Sequence, residues 1–225
     1  MKKKSSKFKI KDQDPSTPYN KLIIIGENEV GKTQLLHRLN EENFEEKYSP
    51  TFGIDFRIKS IYEEKGRLKN DLQILDIAGE SDEIHKKIEN DFINDAHAFL
   101  CLFDLSDQSS LDRAINLMEK YKSNINVDEN LKLWYLIGNK KDLDLKKDGV
   151  PNYYKAKFKN YFEVSAKTSK NEEFQKMLDA IIYDLDLNQN ESRNRYPEET
   201  RQIEPPEIDF AKSHGELFDE ECIIF

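Results

Sequence analysis

The stretch GENEVGKT, from Gly26 to Thr33, fits the pattern Gly, four residues, Gly, Lys and then Ser or Thr, which is typical of phosphate-binding loops. It follows the apolar run from Leu22 to Ile25 and precedes a stretch from Gln34 to Leu39 in which leucines recur at helical spacing. Strand, loop and helix in this order are the context that the pattern requires. The sequence therefore predicts a phosphate-binding loop; the alternative is an ordinary strand-to-helix turn.

Several groups in this loop can contact a bound nucleotide. Backbone N–H groups of the loop and the positive end of the following helix can hold phosphates. The Lys32 ammonium can reach the outer phosphates, and the Thr33 hydroxyl can ligate Mg²⁺. The residues of this stretch that we expect at the nucleotide are Gly26, Asn28, Glu29, Val30, Gly31, Lys32, Thr33 and Gln34.

The composition limits what the loop can belong to. A chain of 225 residues accommodates one medium domain with tails, and 37% apolar residues leave room for long polar segments. No apolar run reaches membrane-spanning length, and the N-terminus has no apolar signal core, so we expect a cytoplasmic protein. The net charge of -9 argues against a nucleic-acid-binding protein. Two cysteines cannot build a disulfide framework.

Three segments differ in composition. Residues 1–18 are rich in lysine and poor in apolar side chains, which predicts a disordered basic arm. Residues 19–187 alternate between strand-like and helix-like patterns and form the predicted domain. Residues 188–225 contain ten acidic side chains against four basic ones, a net charge of about -6, so we expect a disordered acidic tail.

The domain pattern predicts an α/β fold. Short apolar runs at 96–103 and 131–137 are typical of strands covered on both faces, and 160–164 is a last strand. Residues 53–62 and 68–75 read as a hairpin closed by Gly66. Helices are predicted at 82–92, 109–121 and 171–187. This alternation predicts a three-layer domain with a six-stranded, mainly parallel sheet, one antiparallel strand and helices on both faces.

In an open parallel sheet, ligands bind outside the carboxyl ends of the strands. The third predicted strand is followed by Asp76, which can lie near Mg²⁺, and by Gly79, whose N–H can meet the outermost phosphate. The fifth is followed by Asn139, Lys140 and Asp142, and the sixth by Ser165, Ala166 and Lys167. A carboxylate at Asp142 can accept two hydrogen bonds from guanine that adenine cannot offer, so the pattern indicates a preference for GTP.

These motifs together resemble those of the Ras-superfamily small GTPases with a P-loop G domain, over about Tyr19 to Leu187. The resemblance is carried by GENEVGKT, by the first switch FEEKYSPTFGIDF, by DIAGE at the start of the second switch, and by NKKD and SAK at the guanine site. The stretches FGIDFRIKSI, LIGNKKDL and YFEVSAK are most similar to the Rab family.

The resemblance implies roles for further residues. Phe44 would pack against the purine, Tyr48 would close over the phosphates, and Thr51 would join Thr33 on Mg²⁺, near Asp76. Lys140 and Lys167 would flank the base, with the Ala166 N–H on its carbonyl oxygen. The group expected to act in hydrolysis is Lys32, Thr51, Gly79 and Glu80.

The resemblance also implies a molecular switch that binds GTP or GDP with Mg²⁺ and regulates vesicle traffic. Its implied partners are an exchange factor, a GTPase activator and effector proteins, and we expect a monomer. Three alternatives stay open: a GTP-binding module that hydrolyses little or not at all, a Ras- or Rho-like signalling switch, and, more remotely, a phosphate-loop kinase.

Two residues depart from the family pattern near the phosphates. Glu80 stands where most members carry a glutamine that orients water, so we expect slow intrinsic hydrolysis unless a partner supplies the missing group. Glu29 stands where relatives commonly have glycine. An inward-pointing Glu29 carboxylate would lower nucleotide affinity by about tenfold or more, whereas an outward-pointing or paired one would have little effect.

The last four residues, from Cys222 to Phe225, fit the C-a-a-X signal for prenylation, with Cys222 as the lipidated residue. The alternative is a chance apolar end. A prenyl chain would attach the protein to the cytosolic face of a membrane, but one lipid gives only marginal binding. The lysines of the basic arm could supply the second attachment; alternatively the arm is a solvated tail or pairs with the acidic one.

Overall fold

The structure, a computed structural model, describes residues 19–47, 51, 54–62, 66, 68–77, 93–125, 132–143 and 149–195. It divides the chain into two compact units, Met1–Asn188 and Gln189–Phe225. Within the described ranges the elements are, in chain order, β1 (Tyr19–Ile25), α1 (Lys32–Leu39), β2 (Ile54–Tyr62), β3 (Leu68–Ile77), β4 (Ala98–Asp104), α2 (Gln108–Asn124), β5 (Leu133–Asn139), α3 (Asn152–Lys155), β6 (Asn160–Glu163) and α4 (Asn171–Arg195).

The six strands form one sheet in the order β2-β3-β1-β4-β5-β6. Strand β1 lies between β3 and β4 and is parallel to both, and β5 is parallel to β4 and β6. Only the β2–β3 hairpin is antiparallel among these described pairs. The predicted six-stranded, mainly parallel sheet is confirmed. Its consequence is that five strands end at one edge, where the phosphate loop begins.

Alternate residues of the central strands serve two hydrophobic cores. In β1, Leu22 and Ile24 face a core that includes helices α1 and α4, whereas Ile23 and Ile25 face a second core that includes helix α2. Each buried side chain of this size contributes about 1.5–3 kcal/mol relative to an exposed one. The two cores confirm the prediction of helices on both faces of the sheet, and they hold the strand ends rigidly in place.

The element bounds differ from the predicted ones in a few places. Strands β4 and β5 begin two residues later than predicted and each ends later, at Asp104 and Asn139. Helix α4 continues to Arg195 instead of ending at Leu187, since neither Gly nor Pro interrupts the sequence before Pro197. The short helix α3 was not predicted from the sequence. The second-switch helix predicted at 82–92 lies outside the described residues.

No helix in the described part of the chain is both long enough and apolar enough to cross a lipid bilayer.

Candidate nucleotide site

The phosphate loop packs directly against the ends of two neighbouring strands. A Cβ atom at Gly26 would lie 2.5 Å from the Leu102 carbonyl oxygen in β4. At Gly31, which has a left-handed φ of 95°, a Cβ atom would lie 2.4 Å from the Asn139 side-chain nitrogen. Real side chains do not tolerate such distances, so close packing requires glycine at both positions, and the left-handed φ of Gly31 requires it as well. The loop is thereby tied to the carboxyl ends of β4 and β5.

Glu29 occupies the middle of this loop in a left-handed conformation, with φ of 64°. This conformation is strained for a residue with a side chain and is one that glycine adopts freely. The Glu29 side chain is exposed, and no ion pair joins it to another residue of the described ranges. Of the two orientations considered from the sequence, the solvent-exposed one is therefore present.

Lys32 begins helix α1 and is 8% exposed. Its ammonium donates a hydrogen bond to the Glu27 carbonyl oxygen at 2.9 Å, which holds the side chain over the loop. Burial lowers the Lys32 pKa from its ordinary value, and the nearby Asp76 and Glu27 carboxylates oppose this shift. A cation held in this way can interact with a phosphate that lies in the loop.

Three side-chain oxygens meet where α1, β3 and the segment before β2 approach one another. The Thr33 hydroxyl donates to Asp76 Oδ2 at 2.5 Å and lies 2.8 Å from the Thr51 hydroxyl oxygen. The Thr51 hydroxyl also lies 3.4 Å from Asp76 Oδ2. The sequence placed these three residues near Mg²⁺, and the fold brings them together from positions far apart in the chain.

Asp76 has the properties of a cation-binding carboxylate. It is fully buried, and its Oδ1 atom has no hydrogen-bond partner in the described residues. Burial raises the Asp76 pKa, while the Thr33 hydroxyl and the Lys32 charge oppose that shift. A buried oxygen without a partner costs about 1–3 kcal/mol, and a hard cation such as Mg²⁺ prefers carboxylate and hydroxyl oxygens. These three residues fit a magnesium ion.

Asn139, the last residue of β5, connects two loops. Its side-chain nitrogen donates to the Val30 carbonyl oxygen at 2.9 Å, and its side-chain oxygen accepts from the Ala166 N–H at 3.0 Å. The residue is 1% exposed, so both bonds are shielded from water. One amide side chain therefore sets the spacing between the phosphate loop and the segment that follows β6. The Ala166 N–H, which the family resemblance places on the carbonyl oxygen of the base, bonds to Asn139 in this structure.

Asp142 is held by the loop after β6. Its Oδ1 accepts a hydrogen bond from the Ser165 hydroxyl at 2.5 Å, and the Ser165 oxygen in turn accepts from the Thr168 N–H at 2.9 Å. Ser165 is buried, whereas Asp142 is exposed. This arrangement orients a carboxylate toward solvent with only one of its oxygens engaged by Ser165, as a site that reads a pair of N–H donors would need.

Two lysines flank the space beside Asp142. Lys140 has a left-handed φ of 60°, and its ammonium lies 2.7 Å from Asp104 Oδ2. The Lys167 ammonium lies 5.9 Å from the centre of the Phe44 ring and 3.2 Å from Glu46 Oε1. The fold thus brings Lys167 next to Phe44, although Phe44 precedes it by more than a hundred positions.

Gln34 contacts the segment after Phe44 instead of the phosphate loop. Its side-chain oxygen accepts a hydrogen bond from the Glu45 N–H at 2.9 Å. This contact ties helix α1 to the segment that follows Phe44. Four other predicted site residues, Tyr48, Gly79, Glu80 and Cys222, lie outside the described residues.

Sequence reasoning missed two polar partners of the site. Asp104, which pairs with Lys140, is the last residue of β4, and a search of that strand end would have found it. Arg113 of α2 forms an ion pair with the Glu27 side chain in the phosphate loop and lies 2.9 Å from Asp107 Oδ2. No sequence pattern indicates the contact between Arg113 and Glu27, since it joins residues 86 positions apart.

Comparison with known proteins identifies the family of the chain. A family model described as Ras family matches residues 21–183. The chain belongs to the Ras family. Among the relatives of this Ras-family protein, the Ras-related protein Rab-13 of Mesocricetus auratus is 35% identical over 156 residues, which cover 67% of the chain and 73% of that protein.

Two further relatives, from other organisms, are also Ras-related proteins. The Ras-related protein RABE1e of Arabidopsis thaliana is 35% identical over 161 residues, covering 68% of the chain and 69% of that protein. The Ras-related protein RabC of Dictyostelium discoideum is 28% identical over 180 residues, covering 77% and 87%. The Ras-family chain is therefore Rab-like, in agreement with the resemblance found in its motifs, and its sheet has the fold expected of such a small GTPase.

Proposed function

We propose that this Ras-family protein is a guanine-nucleotide switch that binds GTP or GDP with Mg²⁺ at the carboxyl edge of its sheet. The observation that carries the proposal is the Asn139 side chain, which bonds both Val30 in the phosphate loop and Ala166 beside the base-binding residues. One buried amide thus holds a phosphate site and a base site at a set separation, which is what a nucleotide requires.

At the phosphate end, we assign binding to the loop N–H groups, Lys32, Thr33, Thr51 and Asp76. Lys32 supplies positive charge beside the phosphates, and the buried Asp76 supplies an oxygen that a cation satisfies. A bound Mg²⁺ would neutralise phosphate charge as it does in other phosphoryl-transfer sites. Because the Glu29 side chain is exposed, solvent screens its charge, and we expect it to weaken phosphate binding little.

At the base end, Asp142 selects guanine. Its carboxylate is oriented by the Ser165 hydroxyl and can accept from the two N–H donors of a guanine edge. Adenine offers no such pair, and once a bound base covers the exposed Asp142 carboxylate, an unmatched pairing would cost several kcal/mol, so GTP should be favoured by a large factor. We assign the cover of the base to Phe44 and Lys167, whose ammonium lies 5.9 Å from the centre of the Phe44 ring.

Hydrolysis should be slow. Glu80 follows Gly79 in the second switch, and a carboxylate there cannot donate to water as an amide does. It also adds negative charge next to an anionic γ-phosphate. Thr51 and Lys32 remain as groups that hold the reacting phosphate, so we expect an activator protein to complete the machinery. The second candidate function, a GTP-binding module with little hydrolysis, is favoured by the same Glu80.

The cellular role proposed for the switch is the regulation of vesicle traffic, with an exchange factor and effectors as partners. The support for this role is the Rab-like sequence and the Cys222-Ile-Ile-Phe end, which fits a prenylation signal. A prenyl chain on Cys222 would place the protein on the cytosolic face of a membrane. The same end is compatible with a Ras- or Rho-like signalling switch.

The testing experiment uses the full chain with its native Glu29 and Glu80. The protein is loaded with GTP in Mg²⁺, phosphate release is followed under single-turnover conditions, and chromatography identifies the bound nucleotide. We expect bound guanine nucleotide and slow release, accelerated in a Glu80→Gln variant. Retained GTP without any release in either form would favour the binding module. Absence of bound guanine nucleotide would overturn the assignment of Asp142.

A further inference from the structure

A groove of about 460 Å³ lies between the end of the β2–β3 hairpin and helix α4, far from the strand ends that form the nucleotide site. Ile61 and Tyr62 line one wall, and Ile182 and Tyr183 line the other. Tyr62 is 61% exposed and Tyr183 is 64% exposed. Two large aromatic side chains that face solvent across one groove leave apolar surface uncovered, and such a surface is typical of a docking site.

Among the described residues that line the groove, acidic side chains outnumber basic ones. Asp179 and Asp186 of α4 lie beside Lys69 of β3. Lys69 is paired with Asp186 at 2.5 Å, whereas Asp179 accepts a hydrogen bond from the uncharged Gln175 side chain. The Asp179 charge is therefore not neutralised by that contact. A segment that combines apolar and basic side chains would match both the walls and the rim.

The chain enters the sheet next to this groove. In the sheet register, Tyr19 of β1 lies beside Asp71 of β3, and Asp71 lies beside Ser60 of β2. Neighbouring strands are about 4.8 Å apart, so the first residue of β1 lies roughly 10 Å from β2, one position away from Ile61. Residues 1–18, which lie outside the described residues, are joined to the domain at this point.

The sequence of residues 1–18 contains a stretch that combines apolar and basic side chains. In the stretch Lys-Phe-Lys-Ile-Lys, from Lys7 to Lys11, two apolar residues alternate with three lysines. In an extended conformation Phe8 and Ile10 project from one side of the backbone and the lysines from the other. The link from Phe8 to Tyr19 can span up to about 36 Å, which is more than the distance required. The acidic tail has the wrong charge for this rim.

We propose that the stretch from Lys7 to Lys11 docks in the groove of the same molecule. Phe8 and Ile10 cover the exposed faces of Tyr62 and Tyr183, and the lysines lie along the rim near Asp179. The groove falls within the roughly 300–1,000 Å³ typical of small binding clefts, so it has room for two apolar side chains. While the arm is docked, its lysines cannot contact an anionic membrane. The groove therefore controls whether the arm can bind a membrane.

Limited proteolysis of the full chain tests this proposal. Trypsin cleaves the arm after its lysines, and cleavage follows the population of undocked arm when docking is fast. The variant Tyr183→Ala should raise the rate of cleavage after Lys9 by about tenfold. The matched control Tyr153→Ala removes an equally exposed tyrosine on α3 and should leave the rate unchanged. Equal rates in the natural chain and both variants would overturn the proposal.

A charge reversal and a spectroscopic readout complete the test. Asp179→Lys should raise arm cleavage, whereas Glu172→Lys, on the same helix outside the groove, should not. In NMR spectra, Phe8→Ala should shift the backbone amide signals of Lys69 and Ile182 equally at low and high protein concentration. Shifts that grow with concentration would show that the arm enters a second copy, and unshifted groove signals would show that it does not dock; both results contradict the proposal.

Discussion

The amino-terminal and carboxyl edges of the sheet carry the same residue types, lysine and aspartate, but these residues have different roles at the two edges. At the amino-terminal edge, Lys21 pairs with Asp95 at 2.8 Å, and the Lys132 ammonium donates to the Asn94 and Ala96 carbonyl oxygens at 2.6 Å each. At the carboxyl edge, the buried Asp76 keeps an oxygen without a partner in the described residues. Charged groups that satisfy one another stabilise the fold, whereas groups left unsatisfied or turned to solvent are available to a ligand.

The comparison also separates two kinds of connection. His97 at the amino-terminal edge accepts a hydrogen bond from the Lys21 N–H at 3.1 Å, which joins β1 to the residue that precedes β4. Asn139 at the carboxyl edge joins loops that carry no regular structure of their own. Substitutions at the carboxyl edge should therefore weaken nucleotide binding, whereas substitutions at the amino-terminal edge should lower the stability of the fold.

The largest effect on binding is expected for Asn139→Ala. Removing the amide leaves the Val30 carbonyl and the Ala166 N–H without partners, each at about 1–3 kcal/mol, so nucleotide affinity should fall by about a hundredfold or more. Release of a fluorescent GDP analogue measures this fall. As a control, Asn160→Ala removes an exposed side chain whose oxygen accepts a hydrogen bond from the adjacent Tyr161 N–H, and the variant should bind nucleotide normally. Unchanged release from Asn139→Ala would remove the central support of the proposed site.

A somewhat smaller effect is expected for Asp142→Asn. The amide presents a donor where the carboxylate accepts, so GTP affinity should fall by about a hundredfold while the preference over ATP disappears. Competition binding with GTP and ATP in Mg²⁺ measures both quantities. Asp112→Asn, which changes an exposed carboxylate bonded to the Tyr154 hydroxyl, serves as the control. A variant that keeps its GTP preference would show that another residue reads the base.

At the opposite edge, the expected effect concerns stability and pH. Burial, with a smaller contribution from Lys132, lowers the His97 pKa to about 4 from an ordinary value of 6.5. Between pH 6.5 and pH 4 the unfolded chain therefore binds a proton at His97 that the folded chain does not bind. The contribution of neutral His97 to the free energy of unfolding is fully present above pH 6.5 and is lost as the pH falls toward 4. At pH 5 the loss is about 2 kcal/mol.

Chemical unfolding of the nucleotide-free chain at pH 7.5 and pH 5 checks this effect. His97→Asn keeps an acceptor for the Lys21 N–H but cannot be protonated, so its stability should fall about 2 kcal/mol less between the two pH values. Its nucleotide release at pH 7.5 should match that of the natural chain. An equal pH dependence in both proteins would mean that other groups cause the loss.

The smallest effect is expected for Ser165→Ala. The variant loses the hydroxyl that orients Asp142 and accepts from the Thr168 N–H, but the carboxylate itself remains. Such a bond contributes about 1 kcal/mol, so GTP affinity should fall by about fivefold. Ser123→Ala, which removes an exposed hydroxyl bonded to the Lys120 carbonyl oxygen, is the matched control. A loss as large as that of Asp142→Asn would indicate that Ser165 contacts the nucleotide directly.

Much of the fold was predictable because it depends on local patterns. The apolar runs marked all six strands, and the alternation of strands and helices predicted the parallel sheet and its antiparallel hairpin strand. The strand starts were less predictable: β4 and β5 each begin two residues later than the apolar runs that predicted them. Helix α4 extends beyond its apolar stripe because the residues after Leu187 include no helix breaker before Pro197.

The sequence by itself determined which chemical groups stand at the strand ends, because glycine, lysine and carboxylate residues at set spacings express local backbone and charge requirements. Only the tertiary structure decided how those groups are held. The bond from Asn139 to Val30, the Arg113–Glu27 pair and the hydroxyl of Ser165 on Asp142 join residues that are 109, 86 and 23 positions apart. Contacts between distant positions arise when the two cores pack, and no local pattern encodes them.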